Sequence, residues 1–340
     1  DFNPMEYGVL PNALEAIDTS QLLGLVAVEQ ALQDAGYSTE KEFDRDKGSV
    51  ILGVTGTLEL VVPLGARLGH PRWREALKDA GIADAIAEDV MQRISDSYVP
   101  WQENSFPGLL GNVVAGRISN RLDLRGTNCV VDAACASSFS AIHLATLELM
   151  SGRSDMVVTG GVDTLNDIFM HMCFSKTHTL SATGDARPFS KDADGTVLGE
   201  GIGILVLKRL KDAQKDENRI YAVIKGLGSS SDGKSQSIYS PSVEGQIKAL
   251  RTAYKNAGIN PATVGLIEHL PQTHNILQAI HHPGIGGLSV PSGPAGFLVI
   301  GLDALRQVQM GNEAHIRFVD AHAECDGRDD HQTILGEKAT

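Results

Sequence analysis

The sequence VVDAACASS at residues 130–138 decides how this chain is interpreted, because an apolar run ends there on a cysteine and continues into small residues. Residues 128–131 are predicted to form a buried strand. Residues 138–150 carry apolar side chains at helical spacing without a helix breaker, so they are predicted to form a helix. Cys135 is therefore predicted to lie at a strand-to-helix junction.

The position of Cys135 allows two interpretations. Backbone N–H groups at a helix start, together with the positive end of the helix dipole, would lower the pKa of a thiol at this point. Such a thiol would serve as a nucleophile. Most free cysteines, however, are small buried hydrophobic residues. Spacing alone leaves both interpretations open.

The composition limits the class of protein. A chain of 340 residues with 42% hydrophobic residues can bury a large core, as one big domain or as two related halves. The formal net charge of -13 argues against nucleic acid and anionic membrane as partners. No apolar run approaches the roughly 18 residues of a membrane span, and no secretory leader is visible, so we expect a cytoplasmic protein. The four cysteines lack CxxC spacing, which favours reduced thiols over disulfides or a structural zinc site.

Strands and helices are predicted to alternate along the chain. The predicted helices cover residues 21–35 and 244–257, and the predicted strands cover residues 49–54, 155–160, 202–207 and 220–226. The charged stretch between the last two strands, residues 208–219, is interpreted as a solvated connection. Long apolar strands that alternate with helices indicate an α/β protein whose sheets are covered on both faces.

Two blocks of sequence around Cys135 closely resemble the β-ketoacyl synthases, the condensing enzymes of fatty-acid and polyketide synthesis. The first block runs from WQENSFP at residue 101 through GLLGNVVAGRISNRLDLRGTNCVVDAACASS to residue 138. The second contains FSKTHTLSA at 174–182, RPF at 187–189, DG at 194–195 and GEG at 199–201. Within the family, the chain resembles ketosynthase domains of iterative polyunsaturated-fatty-acid, heterocyst-glycolipid and polyketide synthases. The resemblance covers residues 1–268.

The resemblance implies the thiolase-like α/β fold, in which two pseudo-repeated halves form five layers, αβαβα. Residues 1–217 would be the N-terminal half that carries the nucleophile. Residues 218–340 would be the C-terminal half, divergent after residue 268. The family usually forms homodimers, and the strand at 128–131 is expected near the two-fold axis.

The resemblance also implies a condensation in two half-reactions. Cys135 would take an acyl group from the thioester of an acyl carrier protein, and a malonyl thioester would then lose carbon dioxide and attack the acyl-cysteine. Both substrates would be carried on phosphopantetheine of the carrier protein, so we expect no cofactor and no metal bound by the chain. The family uses two neutral histidines and a nearby lysine for decarboxylation.

The sequence departs from the family after Glu268. HLPQTH at 269–274 stands where the family continues AHGTGT, and SVPSGPAGF at 289–297 lacks the family's lysine and loop. His269, directly after Glu268, is the only residue that could occupy the position of the family's first histidine. No residue matches the second, because His281 and His282 lie in the wrong context. A ketosynthase-like scaffold or partner subunit that keeps acylation of Cys135 without condensation is therefore an alternative hypothesis.

Two further patterns compete with this interpretation. GSSSDGKS at 228–235 matches the phosphate-binding P-loop pattern after an apolar strand, so a nucleotide-binding protein is a remote alternative. The polar residues and proline that follow predict a loop, whereas a P-loop needs a helix.

A second pattern, in the tail, has metal-ligand side chains but no second paired-ligand motif, so we predict no metal site there. Its members are Asp320, His322, Glu324, Cys325, Asp326 and His331.

We predict that the glycines and acids downstream of Cys135 support the fold instead of binding a ligand or catalysing the reaction. GEGIG at 199–203 lacks the strand-loop-helix context of a dinucleotide site and is interpreted as a tight approach between sheet layers. Asp194 and Glu200 are predicted to fix loops around the active site instead of acting as bases.

Overall fold

The computed structural model describes residues 2–37, 43–187, 190–234 and 242–264, together with the backbone of residues 299–303. The helices of these residues are α1 Thr19–Asp34, α2 Leu58–Ala66, α3 His70–Asp79, α4 Asp84–Asp96, α5 Ser105–Gly108, α6 Asn112–Leu122, α7 Ser137–Met150, α8 Ile168–Lys176, α9 Leu210–Lys215 and α10 Val243–Ala257. The strands are β1 Gly48–Gly53, β2 Asn128–Val131, β3 Met156–Asp163, β4 Gly201–Lys208, β5 Val223–Gly228 and β6 Val299–Asp303. Helices and strands thus alternate as the periodicity predicts.

A four-stranded sheet with the order β2-β1-β3-β4 organises the N-terminal part. Strand β1 is parallel to β2 and to β3, whereas β4 runs antiparallel to β3. Gly53 is the register partner of both Val131 and Gly161. The carboxyl ends of three strands therefore meet at one edge of the sheet, and the segments that follow them start there.

Helices cover both faces of this sheet. On one face, Leu25 and Val28 of α1 and Ile118 of α6 pack against Val50 and Val158 of the sheet. On the other face, α7 covers a smaller cluster of alternate strand residues, as expected from the two-residue period of a strand. Its members are Ile51, Val157, Ala141, Ala145 and Leu149. Each such Leu, Ile or Val contributes about 1.5–3 kcal/mol by leaving water, so the two clusters fix the helices on the sheet.

Strand β2 is less buried than its sequence predicts. The predicted strand is present at Asn128–Val131, but Asn128 is exposed and the other residues are only half-buried. The prediction of burial is wrong because β2 lies at an edge of the described sheet and pairs only with β1. An apolar pattern identifies a strand but does not say whether a neighbour covers both of its sides.

The charged connection after β4 is also less solvated than predicted. The side chain of Lys208 is only 9% exposed, and its ammonium donates to the Tyr37 hydroxyl at 2.6 Å and to Asn218 Oδ1 at 3.0 Å, besides pairing with Asp216. Arg209 donates to the backbone carbonyl of Ser154 at 2.7 Å. The interpretation as a solvated loop is therefore wrong for these two residues, because they bind the end of β4 to neighbouring elements.

Strand β5 begins at Val223, three residues later than the sequence predicts. The Tyr221 hydroxyl donates to the Asp34 carboxylate at 2.9 Å, and Arg219 pairs with the same carboxylate. These contacts hold residues 219–221 against the end of α1, so the chain enters the second sheet only after them. β5 then pairs antiparallel with β6.

The close approach predicted at 199–203 occurs within one sheet. Gly160 has φ +141°, and a Cβ on it would lie 2.9 Å from the carbonyl carbon of Gly203 on the adjacent strand β4. A Cβ on Gly203 would meet no atom within 4 Å. The predicted contact between layers is therefore wrong, and Gly160 is the residue that has no room for a side chain.

Throughout the part of the chain that the structure describes, no helix has both the length and the apolar character of a membrane span.

Candidate active site

Cys135 lies in a short turn that joins β2 to α7, as predicted. The strand ends at Val131 and the helix begins at Ser137, which leaves five residues for the turn. Cys135 is a free thiol and is exposed on the surface of the single chain. The site is thus at the carboxyl edge of the sheet, where β1, β2 and β3 end.

The turn contains a strained residue next to the cysteine. Ala134 has φ +49°, in the left-handed region that residues with a Cβ rarely adopt. Such a conformation costs on the order of 1 kcal/mol and persists only when neighbouring contacts impose it. Asp132 supplies one contact, because its Oδ1 accepts the Ala134 N–H at 3.0 Å.

Ser137, the first residue of α7, supplies the other local contacts. Its hydroxyl accepts the Ala133 N–H at 2.9 Å and donates to the Ala134 carbonyl at 2.6 Å. The Ser137 N–H donates to the same carbonyl at 3.0 Å. Ser137 is buried, so these hydrogen bonds compete little with water. They lock the peptide that precedes Cys135.

A residue that follows β1 completes the network. Thr55 lies just after the end of this strand, and its hydroxyl lies 3.0 Å from the Ser137 hydroxyl. The Thr55 hydroxyl also lies within reach of the Ala134 carbonyl, to which it donates at 3.4 Å. The backbone reinforces this connection, because the Val54 N–H donates to the Val131 carbonyl at 3.1 Å. The turn is therefore held by the adjacent strand as well as by its own helix.

Two glycines let the first turn of α7 lie close to the sheet. A Cβ on Gly53 would lie 2.7 Å from the Ser137 carbonyl oxygen and nearer still to other backbone atoms of α7. A Cβ on Gly161 would lie 2.9 Å from the Cβ of Ser138. Larger side chains at these two positions would push α7, and the turn before it, away from the edge.

The electrostatic prediction for Cys135 is wrong in sign. The pKa of the thiol is raised, first because protein atoms around the sulfur displace water and then because the Asp163 carboxylate repels a thiolate. The backbone N–H of Cys135 itself faces the sulfur and lowers the pKa, but it does not compensate for the two opposing effects. At neutral pH the resting thiol is protonated.

Acidic residues downstream of Cys135 bind loop segments. Burial raises the pKa of Asp163, which ends β3; the Leu165 N–H lowers it, and the nearby Glu200 raises it. Glu200 also accepts the Asn166 N–H at 2.7 Å. Asp194 accepts from the Ser181 hydroxyl at 2.7 Å and from the Thr183 N–H at 3.0 Å. Asp194 and Glu200 thus make the loop hydrogen bonds expected of structural acids, and the statement that neither acts as a base stays a prediction.

Several residues of the sequence hypothesis lie outside the described residues. They are His269, His281, His282 and the tail set from Asp320 to His331. Among the residues that the structure describes, no group of three His, Cys, Asp or Glu side chains could hold a metal ion. The described site therefore brings Cys135 together with Ser137, Thr55 and Asp163, three residues that the sequence analysis did not identify.

The P-loop alternative is not supported by the geometry around Gly228. Residues 229–234 form no helix, and the next described helix begins only at Val243. A Cβ on Gly226 would lie 2.5 Å from the Ala253 carbonyl oxygen, and one on Gly228 would lie 2.5 Å from the Ala253 N. These glycines allow α10 to pack on β5, and within the described residues no helix N-terminus converges on a phosphate position beside them.

An exposed cysteine at a strand-to-helix turn of a covered α/β sheet is the arrangement expected of an enzyme with a thiol nucleophile, and sequence comparison identifies the family. The profile of the β-ketoacyl synthase N-terminal domain matches residues 1–213, and that of the C-terminal domain matches residues 221–270. This chain belongs to the β-ketoacyl synthase family. The division into halves at residue 217 stays a prediction.

Long synthases are among its relatives. The chain is 41% identical over 268 residues to a subunit of the polyunsaturated fatty acid synthase of Thraustochytrium sp., a match that covers 79% of this chain and 10% of that protein. It is 34% identical over 268 residues to polyketide synthase PksN of Bacillus subtilis, covering 79% of this chain and 4% of that protein. The chain thus spans a tenth or less of these two relatives.

A solved ketosynthase has the same fold. The ketosynthase from module 6 of the bacillaene synthase of Bacillus subtilis 168 matches with a TM-score of 0.59 and 30% identity. The match covers 76% of this chain and 39% of that one. The predicted thiolase-like α/β fold is confirmed.

Proposed function

We propose that this chain is a β-ketoacyl synthase that condenses an acyl group held on Cys135 with a malonyl thioester. The observation that carries the proposal is the Cys135 turn, which the Ser137 and Thr55 hydroxyls hold at the edge where three strands end. A strained, fully bonded turn around an exposed thiol is expected at a reactive site, because an inert buried cysteine needs no such support.

In the first half-reaction, the Cys135 thiolate attacks the carbonyl carbon of an acyl thioester. The new C–S bond forms as the C–S bond to the carrier breaks, and the leaving carrier thiolate takes up a proton equivalent to the one that Cys135 lost. Since the pKa of Cys135 is raised, the resting thiol must give up its proton when the thioester binds. We therefore expect the acylation rate to rise with pH.

In the second half-reaction, the malonyl thioester loses carbon dioxide, and the electron pair of the broken C–C bond forms an enolate. The enolate carbon attacks the acyl-cysteine carbonyl, and the Cys135 thiolate leaves from the 3-ketoacyl product. A hydrogen-bond donor to the developing enolate oxygen lowers the barrier. We propose His269 as this donor, on the support of its place directly after Glu268.

The sequence after Glu268 favours a second candidate function. HLPQTH lacks the glycines of the family pattern, and no second histidine follows in the expected context. A chain of this kind would acylate Cys135 but would not decarboxylate malonate, and it would act as a scaffold or partner subunit. The two candidates share the first half-reaction and differ in the second.

One experiment separates the candidates. The protein is supplied with a hexanoyl carrier thioester and then with a malonyl carrier thioester, while mass spectrometry follows the Cys135 peptide and a gas assay follows carbon dioxide. A condensing enzyme acylates Cys135 and releases carbon dioxide at about 1 per second or faster. Acylation without carbon dioxide release supports the partner subunit. Labelling of Cys129 or Cys173 in place of Cys135 contradicts both.

His269→Ala tests the proposed donor in the same assay. Loss of one oriented donor commonly costs about 100- to 1000-fold in rate. We expect carbon dioxide release to fall by this order while hexanoyl transfer to Cys135 stays unchanged. His178→Ala is the control, since His178 lies in an exposed turn after α8. An unchanged rate of carbon dioxide release in His269→Ala removes His269 from the site.

The proposed partners are an acyl carrier protein and a second copy of the chain. The carrier would present its thioester on phosphopantetheine, so the chain needs no cofactor of its own for this chemistry. Support for a homodimer comes from β2, a half-buried edge strand, and from Leu144 and Leu147 of α7, which are 41% and 49% exposed. Light scattering tests the assembly, and a monomer at micromolar concentration contradicts it.

We propose a cytoplasmic location. Cys129, Cys135 and Cys173 are free thiols, and a working thiol nucleophile needs a compartment that keeps it reduced. Fractionation of cells with an antibody against the chain tests this proposal, and recovery in an oxidising compartment contradicts it.

A further inference from the structure

The Ser137 hydroxyl is the centre of the network beside Cys135, where it contacts three polar groups. It donates to the Ala134 carbonyl at 2.6 Å, accepts from the Ala133 N–H at 2.9 Å and lies 3.0 Å from the Thr55 hydroxyl, which also donates to the Ala134 carbonyl at 3.4 Å. One donor and two acceptor positions are all that a serine hydroxyl has. These three contacts therefore restrict the orientation of the group.

The Ala134 carbonyl belongs to the same peptide as the Cys135 N–H. A trans peptide is planar, so its C=O and N–H point in opposite directions. Ser137 draws the Ala134 carbonyl toward α7 and so turns the Cys135 N–H away from it. This N–H faces the Cys135 sulfur, where it stabilises the thiolate. Ser137 thus sets the direction of a donor beside the reacting atom without touching it.

We propose that Ser137, supported by Thr55, is a positioning residue that aims the Cys135 N–H at the oxygen of the thioester during acyl transfer. The inference rests on the proposed function, since it needs a thioester substrate. When the thiolate adds to the thioester carbonyl, negative charge develops on the oxygen, and a donor already aimed at that point stabilises it. Ala134 remains in its left-handed conformation because the same network holds it.

Two reagents distinguish aiming of the N–H from simple support of the turn. Hexanoyl-N-acetylcysteamine acylates Cys135 through a charged carbonyl oxygen, so its rate depends on the N–H direction. Iodoacetamide alkylates the same sulfur by displacing iodide from a tetrahedral carbon, and no oxyanion forms. The ratio of the acylation rate to the alkylation rate therefore reports the N–H direction, because the fraction of thiolate and the access to the sulfur affect both rates.

The variants are Ser137→Ala, Thr55→Val and Thr55→Ser. A displaced donor costs about tenfold or more in rate, so we expect Ser137→Ala to lower the ratio by that factor. Thr55→Val, which keeps the shape of an exposed side chain and should fold, is expected to lower the ratio less, and Thr55→Ser is expected to restore it. Ser154→Ala is the control, because its hydroxyl makes a buried 2.7 Å contact with Ser49 Oγ away from the turn.

Each outcome decides the proposal. A lowered ratio in Ser137→Ala and Thr55→Val, with an unchanged ratio in Ser154→Ala, supports it. An unchanged ratio in the two test variants, whether or not both rates fall, overturns the positioning role while the proposed function stands. A wild-type chain that alkylates on Cys135 but never acylates overturns the proposed function and the positioning role together.

Discussion

Gly53 and Gly161 are register partners on two parallel strands, and the first turn of α7 lies over both of them. The distance of Cys135 from the sheet is therefore set by two residues that have no side chain. Neither glycine has a positive φ, so close packing is the reason for their identity. Alanine at each position therefore tests how closely α7 must pack on the sheet.

The first prediction concerns these glycines. Gly53→Ala places a Cβ against several backbone atoms of α7, whereas Gly161→Ala places one 2.9 Å from a single atom, the Cβ of Ser138, so its overlap with the helix is smaller. Overpacking commonly costs about 1–3 kcal/mol, and we expect Gly53→Ala at or above the upper end and Gly161→Ala near the lower end. Urea unfolding measures the free energy of unfolding of both variants. Gly116→Ala is the control, since a Cβ there meets nothing within 4 Å. Equal stability of the two test variants would contradict the packing explanation.

The second prediction concerns the charge beside Cys135. Because the Asp163 carboxylate raises the pKa of the thiol, Asp163→Asn is expected to lower that pKa. Iodoacetamide should then label Cys135 severalfold faster at pH 7, and the midpoint of the labelling rate should move to lower pH. Asp185→Asn, an exposed carboxylate paired with Arg187, is the control. A midpoint that does not move would show that water displacement alone raises the pKa.

The third prediction concerns the buried ammonium of Lys208. Lys208→Met removes the donor to Tyr37 and Asn218 together with the ion pair to Asp216. Loss of one member of a fully buried pair lowers the free energy of unfolding by about 3–5 kcal/mol. Since Asp216 is 41% exposed, we expect Lys208→Met to lower it by about 1–3 kcal/mol. Chemical unfolding measures the loss. Lys211→Met, at an exposed position of α9, should change the stability by less than about 0.5 kcal/mol. Similar effects of the two changes would argue against the buried network.

The fourth prediction is a pH dependence from Asp18, the N-cap of α1. Burial raises the pKa of this carboxyl above its ordinary 3.8, although hydrogen bonds from Ser20 lower it. The folded state therefore binds a proton more readily than the unfolded state, so the cost of the buried charge is full above the raised pKa and disappears as the pH falls through it toward 3.8. The wild type should thus gain stability relative to Asp18→Asn as the pH falls from 7. A difference between the two that is constant with pH would rule out this assignment.

The sequence predicted the site where local information was sufficient. Apolar periodicity predicted β2 and α7, and these two elements place Cys135 at their junction. It could not identify the Thr55 contact with Ser137, because 82 residues separate the partners and only the pairing of β1 with β2 brings them together. The pKa of Cys135 was predicted with the wrong sign for a similar reason. Helix-start effects are local, whereas the burial that chiefly raises the pKa, and the Asp163 carboxylate that adds to it, come from the packing around the turn.

The contacts of Tyr37 have a consequence for how the protein is made. Tyr37 follows α1, yet its hydroxyl bonds to Lys208 and Asn218, which are 171 and 181 residues further along the chain. During synthesis at the ribosome, α1, strands β1 to β3 and the Cys135 turn can all emerge before these partners exist. Contacts of such long range form late and slow folding. Until residue 218 has left the ribosome, this set of contacts between α1 and the segment after β4 therefore cannot be complete.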